Sequence, residues 1–280
     1  MQNQFLPCKI VDRQWAEKLL DGEVFMRPLF EFGVWEKTNE INDPNRKDIM
    51  EGAVASFTNP DMVPFLKNLD PAFKSAIKNV TLIDMGDLQF FKVFCLYCLE
   101  FKENKPILPD ARIKVFGDTV VVFRDFNSFL LRFFQTILSR YEEHVVLLDR
   151  INYYGINENR NLNPLFEKTK RYAYQNELRL AFCLSEKNKF YVSSKPEENY
   201  RLIWDKERMI INVGDIRDIA YAIPTSKFLD GSGILRVNQN LYPFTGNPEA
   251  PYDNWVINTR KEMAHYRPTL VTPMITITGN

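Results

Sequence analysis

The run ELRLAFCL, Glu177 to Leu184, constrains the fold more than any other stretch of this chain. Apolar and polar residues alternate strictly, which is the period of a strand and not of a helix. Leu178, Leu180, Phe182 and Leu184 fall on one face; Glu177, Arg179, Ala181 and Cys183 fall on the other. Gln175 extends the polar line if the strand begins that early. Two readings follow. The polar face is wet, or its Glu–Arg pair is completed by a neighbouring strand, as antiparallel sheets often allow. Alternatively, Glu177 is a carboxylate at the mouth of a cleft.

The same pattern recurs along the chain. EVFMRPLFEF, AVASF, VTLIDM, QFFKVFCLYCLEF, DTVVVFR, HVVLLDRINYYG, KFYVSS, MIINVG and IAYAIP all read as strands. Helices are fewer. VDRQWAEKLLDG reads as a short one capped by Asp12 and stopped by Gly22. NLDPAFKSAIKN starts at Pro71 behind Asp70. DFNSFLLRFFQTILSRY carries Leu130, Phe133, Phe134, Ile137 and Leu138 on one broad apolar face, and NPLFEKTKRYAY is expected to be helical. Strands in hairpin spacing predict an α+β fold of mostly antiparallel sheet flanked by helices, not a doubly wound fold. A single domain is expected over 1–235. Residues 236–280, punctuated by Pro243, Pro248, Pro251, Pro268 and Pro273, are expected to form an irregular tail that packs on the core or reaches a protein partner.

Several function classes find no support. The 36 basic and 36 acidic residues cancel, which argues against non-specific tracking along nucleic acid. Neither nucleotide-binding glycine fingerprint is present. Cys95 and Cys98 form a C-x-x-C, but inside an apolar strand with no turn to bring two thiols onto one ion, so buried thiols are expected. With His144 and His265 as the only histidines, no metal site is expected from imidazoles. No secretory leader or run of 18 apolar residues is seen, so no membrane contact and a cytoplasmic location are expected.

Three polar features need explaining. Arg27 alternates in phase with Phe25 and Leu29, and so points inward or into a cleft; a buried guanidinium needs an acid or an anionic ligand. In NRKDIMEGAVASFTN, the charges of Arg46, Lys47, Asp48 and Glu51 precede a small-residue strand, and Ser56 and Thr58 share one of its faces. The third feature is Gln175-x-Glu177, with Arg179 beside it.

In this order, Arg, then Ser-x-Thr, then Gln-x-Glu, the chain resembles the Arg–Ser–Glu arrangement of toxin-like mono-ADP-ribosyltransferases. The resemblance implies that Arg27, with Arg46 nearby, holds the phosphates or ribose of NAD. It implies that Ser56 and Thr58 orient the nicotinamide half. Glu177 then stabilises the oxocarbenium-like state, and Gln175 helps select the acceptor. Asp48, Glu51 and Arg179 are substrate-side groups or structural pairs, and no metal is required.

The motifs GEVFMRPLFEFG, RKDIMEG, VFCLYCLEF, VFGDTVVVF, FEKTKRYAYQNELRL and INVGDIRDIA also resemble a broad family of uncharacterised bacterial and phage proteins, over roughly residues 20–222. That likeness implies a phage or defence setting, which suits a transferase acting on a macromolecule and equally a non-enzymatic interaction module. A metal-dependent nuclease built on Asp48, Glu51, Glu177 and Lys168 is the third alternative.

Overall fold

The computed structural model describes residues 4–32, 51–58, 63, 71, 79–83, 91–103, 105–140, 144–155, 160–184, 208–234 and 274–278. β1 (Gln4–Val11) leads through helix α1 (Arg13–Leu20) to β2 (Glu23–Pro28). β3 (Ala53–Phe57), β4 (Asn79–Ile83), the long β5 (Lys92–Lys102), β6 (Lys105–Pro106) and β7 (Thr119–Phe123) follow. After helix α2 (Phe126–Arg140) come β8 (His144–Arg150), β9 (Asn152–Tyr154), β10 (Arg160–Asn161), β11 (Glu167–Thr169) and β12 (Glu177–Leu184). β13 (Met209–Asn212), β14 (Ala220–Pro224), the one-turn α3 (Thr225–Leu229) and β15 (Met274–Thr278) complete the described elements. The fold is α+β. Among the described residues every strand pairing is antiparallel except that of β9 with β11.

β5 organises the larger sheet. One of its edges carries β12, from Glu177 opposite Tyr97 to Phe182 opposite Lys92, and β12 in turn carries β8. The other edge is shared by two strands. β1 pairs with it only as far as Cys8 opposite Tyr97, and β2 begins only at Arg27 opposite Val93. β1 continues instead along β7, from Cys8 to Val11. The sheet therefore splits along β5 between Val93 and Tyr97. A second sheet has the order β10-β3-β4-β15.

Alternation decides which side each residue takes. Leu178, Leu180 and Phe182 enter one core cluster with Phe94, Leu96 and the buried face of α2. That helix turns Phe126, Phe129, Leu130, Phe133 and Ile137 inward, at the spacing of one helical face. Asp125 caps it, accepting from the Ser128 amide at 3.0 Å and the Ser128 hydroxyl at 2.6 Å. Phe123 and Phe129 meet with ring centroids 4.8 Å apart. Each such side chain, fully buried, contributes roughly 1.5–3 kcal/mol. α1 ends where Gly22 adopts φ +98°, and a Cβ there would lie 2.2 Å from the Gly214 carbonyl oxygen. Among the described residues no helix is long and apolar enough to cross a membrane.

One expectation is corrected. NPLFEKTKRYAY is not an α-helix. Residues 167–169 are extended and pair in parallel with β9, and a 3-10 turn covers Lys170–Gln175. Glu167, Lys168 and Thr169 are all buried, and a surface helix has no way to bury three consecutive polar side chains. Asn176 then closes the turn in the left-handed region at φ 38°, which Asn tolerates. Of residues 236–280, Met274–Thr278 are described; they form β15, whose MITIT run pairs along β4, and its β-branched residues suit a pleated surface. The helix expected at 68–79 lies outside the described residues apart from Pro71, which is helical, and Asn79, which begins β4; the strand expected at 189–194 lies outside them too.

Candidate functional site

Glu177 and Arg179, two apart on β12, project from the same face, opposite Tyr97 and Cys95 of β5. That face is not wet: Glu177 is 5% exposed and Arg179 1%. What completes them is a ring of charge. Arg179 donates through Nε to Glu177 Oε1 at 2.9 Å and through Nη1 to Glu51 Oε1 at 2.8 Å. Lys168 donates to Glu177 Oε2 at 2.6 Å and lies 3.3 Å from Glu51 Oε2. The two acids and two bases alternate, so the buried group is neutral.

Three further bonds fix the ring. Arg179 Nη1 donates to the Leu165 carbonyl at 2.6 Å, Lys168 donates to Gln175 Oε1 at 3.2 Å, and the Glu177 amide donates to the Tyr153 hydroxyl at 3.0 Å. The local folding explains the geometry. β11 carries Lys168 inward as an extended residue, the 3-10 turn returns Gln175 beside it, and the left-handed Asn176 starts β12.

Electrostatics follow from burial and partners. Burial pushes the Glu177 carboxyl up, but the Arg179 and Lys168 charges outweigh it and hold the group well below the usual carboxylate range. Burial pulls Lys168 down, and Glu177 and Glu51 more than reverse it. Glu177 is therefore a permanent anion, suited to electrostatic stabilisation and unsuited to proton transfer near neutral pH. Burial pushes the Cys95 thiol up to about 12, with Glu177 adding to it, and burial likewise raises Cys98 to about 12.

Beside the ring, the split in the sheet opens as a cleft of about 280 Å³. Its floor includes Glu177, Gln175 and Lys168, and its walls include Lys9, Arg27 and Phe32. At the rim Trp15 of α1 stacks on Phe25 of β2, with ring centroids 5.7 Å apart and planes 22° apart. Lys18 lies 4.9 Å over the Trp15 ring. Arg27 Nε donates to Glu31 at 2.8 Å, and its guanidinium lies 5.3 Å from the Phe32 ring centre. Flat rings beside cations suit a ligand with an aromatic part and an anionic part.

The sequence-predicted residues that are described separate into three groups. Arg27, Gln175 and Glu177 share the cleft. Glu51 and Arg179 belong to the ion ring beneath it. Ser56 is buried on β3 of the second sheet, opposite Thr81 and Arg160, and neither it nor the half-buried Thr58 lines the cleft. Arg46 and Asp48 lie outside the described residues. Sequence reasoning missed Lys9 as a cleft residue. Its signal was a lone cation inside LPCKIV, where every neighbour is apolar or Pro. Lys168 entered only the nuclease alternative. Among the described residues, no three His, Cys, Asp or Glu side chains gather to hold a metal ion.

Scans of protein-family models, of curated proteins and of solved structures each return no match to this chain.

Proposed function

We propose that the protein is an ADP-ribosyltransferase-like enzyme that takes NAD as its substrate in the cleft between Arg27 and Glu177. It modifies a macromolecule of the cytoplasm, a protein or a nucleic acid, in the setting of a toxin or phage-defence effector. One observation carries this reading: Arg27 and Glu177, from strands on opposite edges of β5, line the same aromatic-walled cleft. In the reaction the bond from ribose C1′ to nicotinamide breaks and its electron pair leaves with nicotinamide. A nucleophile of the target adds at C1′ and loses its proton. Positive charge grows on the ribose meanwhile, and the fixed charge of Glu177 is the group placed to oppose it. Each Glu177 oxygen accepts one N–H within the ring, and a carboxylate offers about four acceptor positions, so capacity remains for a ribose hydroxyl.

The test is incubation with NAD, reading nicotinamide release and transfer of label into a lysate. Glu177→Gln is expected to abolish both. Glu51→Gln is the control, because it opens the same ion ring without touching the cleft. Absence of release and transfer with the wild-type protein would sink the proposal. So would equal losses in the two variants at matched folded fraction.

A second reading, a binding module without chemistry, is favoured by a specific observation: both Glu177 oxygens are already engaged by Arg179 and Lys168. It predicts that Glu177→Gln keeps the biological effect at normal protein level.

A further inference from the structure

Lys9 occupies an unusual position. It is the residue after Cys8, where β1 stops pairing with β5 and continues along β7. On that edge of β5, Phe94, Cys95 and Leu96 have no strand partner among the described residues, because β2 joins only at Val93. The Lys9 ammonium reaches into this gap, donating to the Cys95 carbonyl at 2.7 Å and lying 4.6 Å from the Phe94 ring centre.

The carbonyl and the ring account for only part of what an ammonium needs. It has three donors, and among the described residues one is used. Among the described residues no carboxylate lies within ion-pairing distance of Lys9. The cleft's other cations are paired: Arg27 with Glu31, Lys168 with two glutamates, and Lys18 with Glu23 at 4.0 Å. Glu177 is near enough to act on Lys9 through space, but its charge is already matched within the ring. Among the described residues, this half-buried cation in a concave, aromatic-walled site has no acid of its own as a counter-charge.

We propose that Lys9 holds the phosphate of a nucleotide ligand, with the Arg27 side of the gap as the second wall and the Trp15–Phe25 stack receiving the base. This rests on the ligand half of the proposed function and names the residue that recognises the anion. Burial pulls the Lys9 ammonium down; Cys95 and Glu177 offset this only in part, and Arg27 adds to the lowering, which an arriving anion relieves.

The experiment is calorimetric binding of ADP-ribose, ADP, pyrophosphate and adenosine to the full chain and to Lys9→Met and Lys9→Arg. Thermal unfolding is recorded for each protein. Lys9→Met is expected to weaken ADP-ribose and ADP roughly ten- to hundredfold, the scale of a charge-assisted bond, and to leave adenosine unchanged. Lys9→Arg retains most of the affinity. Pyrophosphate alone competes with ADP-ribose. If Lys9→Met does not fold, the wild-type protein decides: it must prefer ADP to adenosine, and lose that preference as alkaline pH removes the lysine proton. Failure of the wild type to bind any phosphorylated probe overturns the proposal. Undiminished binding by folded Lys9→Met also overturns it. Lys9-dependent binding without nicotinamide release leaves this assignment standing and rejects the transferase. Nicotinamide release unaffected by Lys9→Met does the reverse.

Discussion

Lys168 Nζ lies 2.6 Å from Glu177 Oε2, although Lys168 sits on a three-residue strand outside the sheet that carries Glu177. This bond joins β11 to β12. Through Arg179 and Glu51 it also ties the larger sheet to the segment leading into β3.

Breaking the ring from one side leaves a buried charge without its counter-charge. Glu177→Gln and Lys168→Met are each expected to destabilise the protein by about 3–5 kcal/mol. The double variant should lose clearly less than the sum, because it removes both charges of one pair. Urea unfolding of the four proteins in a double-mutant cycle checks this. Additive losses would show that the two charges do not depend on each other.

Acid should unfold the protein through the same ring. The unfolded Glu177 carboxyl binds a proton near pH 4.3, whereas the folded one is held well below that. Between those values the unfolded state binds more protons, so stability falls as pH falls. The contribution is fully present above the unfolded value and is lost as pH drops through the folded one. Urea midpoints measured from pH 6 to pH 3 should fall in the wild type and fall less steeply in Glu177→Gln.

Cys95 and Cys98 should resist alkylation at pH 8. With thiols pushed up to about 12, roughly one in ten thousand is ionised there, and the thiolate is the reactive form. Mass-spectrometric mapping after iodoacetamide treatment should find both unmodified in the native protein and both modified in urea. Rapid native labelling of Cys95 would show that the cleft floor opens.

Gly22→Ala should destabilise by more than the roughly 1–3 kcal/mol of left-handed strain alone, because the added Cβ also meets the Gly214 carbonyl. Gly214→Ala, at φ +77° with nothing within 4 Å of the new atom, should cost only the strain. Thermal unfolding of the two variants separates the terms. Equal losses would mean that the two glycines do not cross as described.

Local periodicity carried much of this fold in the sequence. The alternation of ELRLAFCL put Leu178, Leu180 and Phe182 into the core and Glu177 and Arg179 on the opposite face, as found. The phase of Arg27 with Phe25 placed both on the cleft side of β2, since Val24, Met26 and Pro28 are the buried set. The spacing of Phe133 and Ile137 marked the buried face of α2. Each of these follows from a single element's repeat, which neighbouring residues are enough to reveal.

What the polar face of β12 meets is a property of other parts of the chain. Glu51 approaches from 128 residues before Arg179, and no period links them. Lys168 became a ring member only because β9 drew residues 167–169 into an extended pairing, against the helical expectation for that stretch. The cleft arises where β1 leaves β5 for β7 before β2 arrives, a choice made by strand pairing and invisible in either strand's own sequence. Alternation along a strand assigns a side chain to a face, because that depends only on its own backbone. Whether the face meets water, an ion pair or a ligand depends on long-range pairing, and there the tertiary structure alone decides.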